Sequence, residues 1–113
     1  LVEKLLPEES HPVDGKKITV TKDLYAGNAL FFTEKQLYAA GLEDENGEFL
    51  RVSFTGFPNC VFWSPAGAPF TCIEPWFGLA DYDDFEGELP EKDGIEMLPA
   101  SGVFNCAFTV QVL

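Results

Sequence analysis

The stretch "CVFWSPAGAPFTCIEPW", Cys60 to Trp76, decides how the rest of the chain is read. Two apolar runs, "CVFWS" and "PFTCIE", flank "PAGAP". Proline presets φ and lacks an amide donor, and glycine tolerates positive φ, so this linker reads as a turn. The flanking runs hold aromatic and β-branched residues and are too short for helices, so they read as two strands. Nearly every residue of Phe57–Trp63 and Phe70–Trp76 is apolar. Strands of that kind are usually covered on both faces. A chain of 113 residues has little material to do so. A further layer is therefore expected, from sequence beyond this chain or from a second copy.

Outward from this pair the pattern repeats. "KKITVTKDL" (Lys16–Leu24) alternates Ile18 and Val20 with threonines, a half-buried strand pattern. "NALFFTE" (Asn28–Glu34) follows Gly27 as a second strand. "QLYAAGLED" and "EFLRVSFTG" read as the arms of a hairpin around Asn46-Gly47, a strong turn signal. "IEML" (Ile95–Leu98) is a short segment, and "VFNCAFTVQVL" (Val103–Leu113) a final strand. No helical period of useful length competes. About seven or eight short strands separated by turns predict an all-β fold, an antiparallel β-sandwich or barrel.

The formal net charge of −12 argues against nucleic acid and against anionic membrane surfaces as partners, because both require a basic patch. Cys60, Cys72 and Cys106 are odd in number and lack C-x-x-C spacing, so neither a disulfide framework nor structural zinc is expected. Cys60 and Cys72 sit in apolar runs, where free cysteine behaves as a small hydrophobe. A reducing, cytoplasmic location fits this usage. No run approaches a membrane span, and no signal-peptide pattern stands at the N-terminus. The first residue is Leu1, so the chain reads as processed or cut from a longer one.

The familiar catalytic motifs, G-x-S-x-G, P-loop, G-x-G-x-x-G and H-E-x-x-H, are absent. His11, the one histidine, lies between Ser10 and Pro12 and reads as an exposed loop residue. Glu74 is different. It is flanked by Cys72, Ile73, Pro75, Trp76 and Phe77. A carboxylate there is either paired or carries a raised pKa, since desolvation disfavours its charged form. Pro75 cannot donate to a ladder, so the strand ends or meets a sheet edge there. Trp76 offers a flat apolar surface on which a sugar ring can stack while Glu74 takes the hydroxyls. The alternative is a glutamate satisfied by backbone amides or a lysine at a strand end. The acidic loop from Asp81 to Glu88 reads as solvated and lacks calcium-loop spacing. Lys92 is a loop charge positioned to pair with nearby acids, and Asn28 a turn residue opening a strand.

"APFTCIEPWFGLAD" (Ala68–Asp81) and "KDGIEMLPA" (Lys92–Ala100) resemble, in order, the C-terminal signature of the aldose 1-epimerase (galactose mutarotase) superfamily, in particular its LacX-type branch. "LYAGNALFFTEKQLYAAGLED" and "VSFTGFPNCVFWSP" are similar to the strands that precede that signature, so the resemblance runs from about Ile18 onward. It implies a galactose mutarotase-like supersandwich more than twice this length. Residues 1–113 would be the C-terminal part of that single domain, with the N-terminal part absent.

The resemblance further implies an isomerase that interconverts the α and β anomers of a free aldohexose without a cofactor or metal. A glutamate acts as general base on the anomeric hydroxyl and a histidine as general acid on the ring oxygen. The glutamate carries over to Glu74. The histidines belong to the absent half, and His11 does not match them. Asn28 falls where many relatives carry a sugar-binding aspartate; an amide still hydrogen-bonds a hydroxyl but brings no charge. "PASGVFNC" lacks the Gly-Glu that usually follows the proline. Without its acid partner this fragment is expected to be inactive, since one member of such a pair contributes roughly 10²–10⁴-fold. Two other readings stand beside this one. One is a non-catalytic carbohydrate-binding sandwich using Glu74 and Trp76. The other is a structural or interaction domain that self-associates through an exposed sheet.

Overall fold

The computed structural model describes residues 17–113. His11 and the first residues of the Lys16–Leu24 segment lie outside or at the edge of that range. Six strands follow one another: β1 Leu30–Phe32, β2 Ala39–Asp44, β3 Gly47–Ser53, β4 Asn59–Trp63, β5 Cys72–Trp76 and β6 Thr109–Val112. One 3₁₀ turn, Leu89–Glu91, interrupts the β5–β6 connection. The strands form two antiparallel three-stranded sheets, ordered β1-β4-β5 and β2-β3-β6. The all-β, sandwich-like architecture expected from the turn spacing is the one observed.

The opening stretch forms the β4–β5 hairpin, in register from Asn59↔Trp76 to Trp63↔Cys72. β4 is the central strand of its sheet, flanked by β1 through Leu30↔Phe62, Phe31↔Val61 and Phe32↔Cys60. Its position explains its apolar run. Side chains alternate between the faces of a strand, and Asn59, Cys60 and Val61 are all buried. Cys60 joins Val52, Phe54 and Phe57 in a core against which Ala40, Leu50, Phe62 and Ile73 pack, so that face meets the second sheet. Val61 points the other way and clusters with Ala29 and Phe31, under Trp76 and Leu79. β5 lies at the sheet edge and is half-buried along its length. Pro75 thus sits in an edge strand, as its missing donor requires.

The β2–β3 hairpin forms with Asp44↔Gly47 as its closing pair. Gly47 takes the positive φ of 114°, and Asp44 accepts a hydrogen bond from the Asn46 amide at 2.7 Å. The turn therefore centres on Glu45 and Asn46, one residue earlier than Asn46-Gly47. The register shift between Leu42 and Glu43 absorbs the offset as a bulge.

Three expected segments come out differently. Ile18–Leu24 is not a strand: Lys17 makes an isolated bridge, and the chain then turns, with Leu24 donating to Thr21 and Ala26 to Asp23. Alternation alone builds a strand only where a neighbour supplies a ladder, and Val20 remains 57% exposed. Ile95–Leu98 is irregular. The final strand shortens to β6, because Gly102 donates to Pro99 and Ser101 adopts φ 63°, a turn that delays entry to the sheet. β6 pairs with β3 through Leu50↔Val112 and Val52↔Val110, so its valines continue the inward face of that sheet. They are nonetheless 54% and 81% exposed. No helix among the described residues is long and apolar enough to cross a membrane.

Candidate functional site

Register defines the sheet face that carries Glu74. Glu74 is opposite Val61, which is opposite Phe31. One row along, Trp76 is opposite Asn59, and one step beyond the paired residues Thr33 falls beside Asn59. Glu74 and Trp76 are two apart on β5 and share this face. The Trp76 indole Nε1 donates to Glu74 Oε2 at 3.1 Å. Glu74 thus has a hydrogen-bond donor within its own strand. The Trp76 ring meets Phe31 edge-on, with centroids 5.8 Å apart at 75°, so buried aromatic packing fixes the donor. Removing either aromatic would free the carboxylate to rotate.

Asn28 stands elsewhere. It precedes β1, and its side-chain oxygen accepts from the Ala29 amide at 2.8 Å. β4 lies between β1 and β5, and strands are spaced about 4.8 Å apart, so Asn28 is some 10 Å across the sheet from the β5 side chains. The structure brings Glu74 and Trp76 together, and Asn28 stands at the start of β1, across β4 from them.

The thiols divide by environment. Cys60 is 1% exposed, and burial pushes its pKa up to about 12, with the Glu74 backbone hydrogen bond acting in the opposite direction. Cys72, on the Glu74 face, is raised by burial first and then by the charge of Glu74 and a hydrogen bond to it. Cys106 is exposed.

A cleft of about 340 Å³ opens where the face continues past Trp76. Asn59, Phe77 and Leu79 line it from the β4–β5 side, and Tyr82, Asp93 and Ile95 from the connection that folds over them. Two segments distant in sequence, "EPWFGLAD" and "KDGI", thus form opposite walls of one cavity. Gly94 makes this approach possible. It adopts φ 73°, and a Cβ there would lie 3.3 Å from the Phe77 carbonyl oxygen. Glu74 does not line the cleft. Within the acidic loop, Asp81 pairs with Lys92 at 2.7 Å, and Tyr82 donates to Asp93 at 3.4 Å. Among the described residues, no three His, Cys, Asp or Glu side chains converge as a metal ion requires.

Sequence reasoning overlooked Asn59, Tyr82 and Asp93. The signal for Asn59 was present: a lone amide inside an apolar strand must find a partner. Its Nδ2 donates to the Phe77 carbonyl at 3.1 Å. Nothing local marks Tyr82 or Asp93, whose place depends on how the connection folds back.

A stretch of 37 residues, 32% of this chain, is 46% identical to two proteins of Lactococcus lactis subsp. lactis, "Protein LacX, chromosomal" and "Protein LacX, plasmid". It covers 12% of the length of each, so the chain corresponds to a small part of these relatives. No family profile matches the chain, and no solved structure does.

Proposed function

We propose that this chain is the C-terminal part of an aldose 1-epimerase-like protein, with Glu74 as the general base of anomer exchange. The observation that carries the reading is the Glu74–Trp76 pair: a half-buried carboxylate held by an indole N–H at 3.1 Å. A base must be oriented before it is useful, and the indole N–H does this for Glu74. The β-sandwich-like fold and the short LacX-like stretch support the same reading.

In the proposed reaction Glu74 removes the proton of the anomeric hydroxyl. An acid from outside this chain protonates the ring oxygen, the C–O bond of the ring opens, and closure on the other carbonyl face returns both protons. Trp76 positions Glu74 and offers ring surface to the sugar. Asn28, at the start of β1, would contribute a hydrogen-bonding amide to a sugar hydroxyl.

Anomer exchange by the intact protein, followed by NMR exchange spectroscopy on a free aldohexose, tests this. Loss of ~10²–10⁴-fold is expected in Glu74→Gln. Undiminished exchange in that variant removes Glu74 from the chemistry. Saturable sugar binding without exchange, even in the unmodified protein, would instead make this a binding module.

A further inference from the structure

We infer that Cys72 is a second positioning residue for Glu74, its thiol donating to the carboxylate from the side opposite Trp76. This inference rests on the proposed role of Glu74 as the base and adds a residue to which that reading gives no part.

Alternation along β5 sets Cys72, Glu74 and Trp76 in line on one face of the sheet, with Glu74 in the middle. On the Trp76 side the indole Nε1 donates to Oε2 at 3.1 Å. A carboxylate accepts at two oxygens, so a single donor does not fix its plane. Cys72 stands where a second donor can act. Across the ladder Cys72 is opposite Trp63, Glu74 opposite Val61 and Trp76 opposite Asn59. Phe31 lies beyond Val61 on β1. None of Trp63, Val61, Asn59 and Phe31 is ionisable. On its other side β5 has no pairing strand among the described residues. The acidic neighbour of the Cys72 thiol on this face is therefore Glu74.

The chemistry of the thiol agrees with this placement. Burial holds Cys72 above the ordinary thiol range, followed by the charge of Glu74 and by a hydrogen bond to it. A bond that raises a thiol's pKa is one in which S–H donates, because it favours the protonated form. Cys72 is thus a donor at neutral pH and not a thiolate nucleophile. Cys60 also feels the charge of Glu74, but its hydrogen bond is to the Glu74 backbone, so it does not orient the carboxylate. Cys72 and Trp76 then hold the base from positions two before and two after it in one strand.

Two measurements on the intact protein test the role. The Cys72 Cβ shift in isotope-labelled protein, followed by NMR against pH, reports ionisation of the thiol. Glu74→Ala removes both the charge and the acceptor, so the midpoint should fall by about 0.5–1 pH unit. In anomer exchange on a free aldohexose, Cys72→Ala should lower kcat by about three- to tenfold and leave KM unchanged. Cys72→Ser, whose O–H replaces the S–H, should restore kcat to within about twofold. An unmoved midpoint, an undiminished kcat in Cys72→Ala, or a Cys72→Ser variant no better than Cys72→Ala would overturn the assignment. Exchange that survives Glu74→Gln would overturn it by another route, by removing Glu74 from the chemistry. The midpoint separates these failures, since it still falls in Glu74→Ala when the pair exists and only the mutarotase reading is wrong.

Discussion

Substituting Gly94 by alanine measures how firmly the two walls of the cleft are joined. Gly94 and Gly67 share nearly one backbone conformation, φ 73° and 74°. They differ in surroundings. A Cβ on Gly67 meets nothing within 4 Å, whereas on Gly94 it lies 3.3 Å from Phe77 O, 3.6 Å from Gly78 Cα and 3.8 Å from Leu79 N. Left-handed backbone costs a non-glycine residue about 1–2 kcal/mol. The reduced freedom of the unfolded chain returns about 0.4–1 kcal/mol in both variants. Gly67→Ala should therefore lose about 1 kcal/mol. Gly94→Ala adds an overpacking term of about 1–3 kcal/mol, because the atoms it meets are backbone and cannot rotate away. Its expected loss is about 2–4 kcal/mol. Urea unfolding followed by tryptophan fluorescence gives both values, and m should be unchanged. Equal losses would mean that the "KDGI" turn does not rest on Phe77–Leu79, and the cleft as described would not exist.

The Cys60 thiol makes stability fall at alkaline pH. The folded thiol keeps its proton to about 12 and the unfolded one only to its ordinary 9.0, so between these values the unfolded state binds fewer protons and ΔG falls by about 1.4 kcal/mol per pH unit. Cys60→Ala should be less stable at neutral pH yet show a shallower alkaline slope in urea unfolding; an unchanged slope would refute the account. Lys92→Met should cost no more than about 0.5 kcal/mol and lose that effect in salt, because Asp81 is 62% exposed; a loss above about 2 kcal/mol would contradict a surface pair. Trp76→Phe removes the donor to Glu74 and retains an aromatic ring against Phe31, and Glu74→Ala removes the acceptor, so unfolding of Trp76→Phe, Glu74→Ala and their double variant should give a coupling of about 1–2 kcal/mol, and additive losses would deny the bond.

Legibility in the sequence followed how local the determining physics is. The β4–β5 hairpin and the β2–β3 hairpin were legible because a turn and two apolar runs specify each within about twenty residues. Pro75 announced the edge position of β5 through its missing donor. Ile18–Leu24 carries an equally good alternation and forms no strand, because no local feature says whether a ladder is available. The β6 boundary depended on Ser101 entering positive φ, a conformation that an isolated serine does not advertise. At the site, Glu74 and Trp76 were legible as a polar pair in an apolar strand. The cleft was not, since its walls come from segments joined by tertiary contacts alone, Gly94 against the Phe77 carbonyl and Lys92 with Asp81.

The same geometry limits how the proposed chemistry could be completed. Glu74 has Val61 as its neighbour on the β4 side, with Phe31 beyond, and both are buried. Nothing polar can reach the carboxylate along that row without displacing core. Along β5, Trp76 occupies one side by donating to it, and Cys72 the other. Two approaches remain: from above the face, and across the free edge of β5, which has no pairing strand among the described residues. A general acid supplied by other sequence must arrive by one of these. The inward face of the second sheet is turned to the core around Val52 and Phe54 and so cannot supply it. The cleft lies past Trp76 and is lined by neither Trp76 nor Glu74, so it takes no part in that approach. Trp76 therefore acts on the base alone, donating to it on one side while its ring rests edge-on against Phe31 on the other.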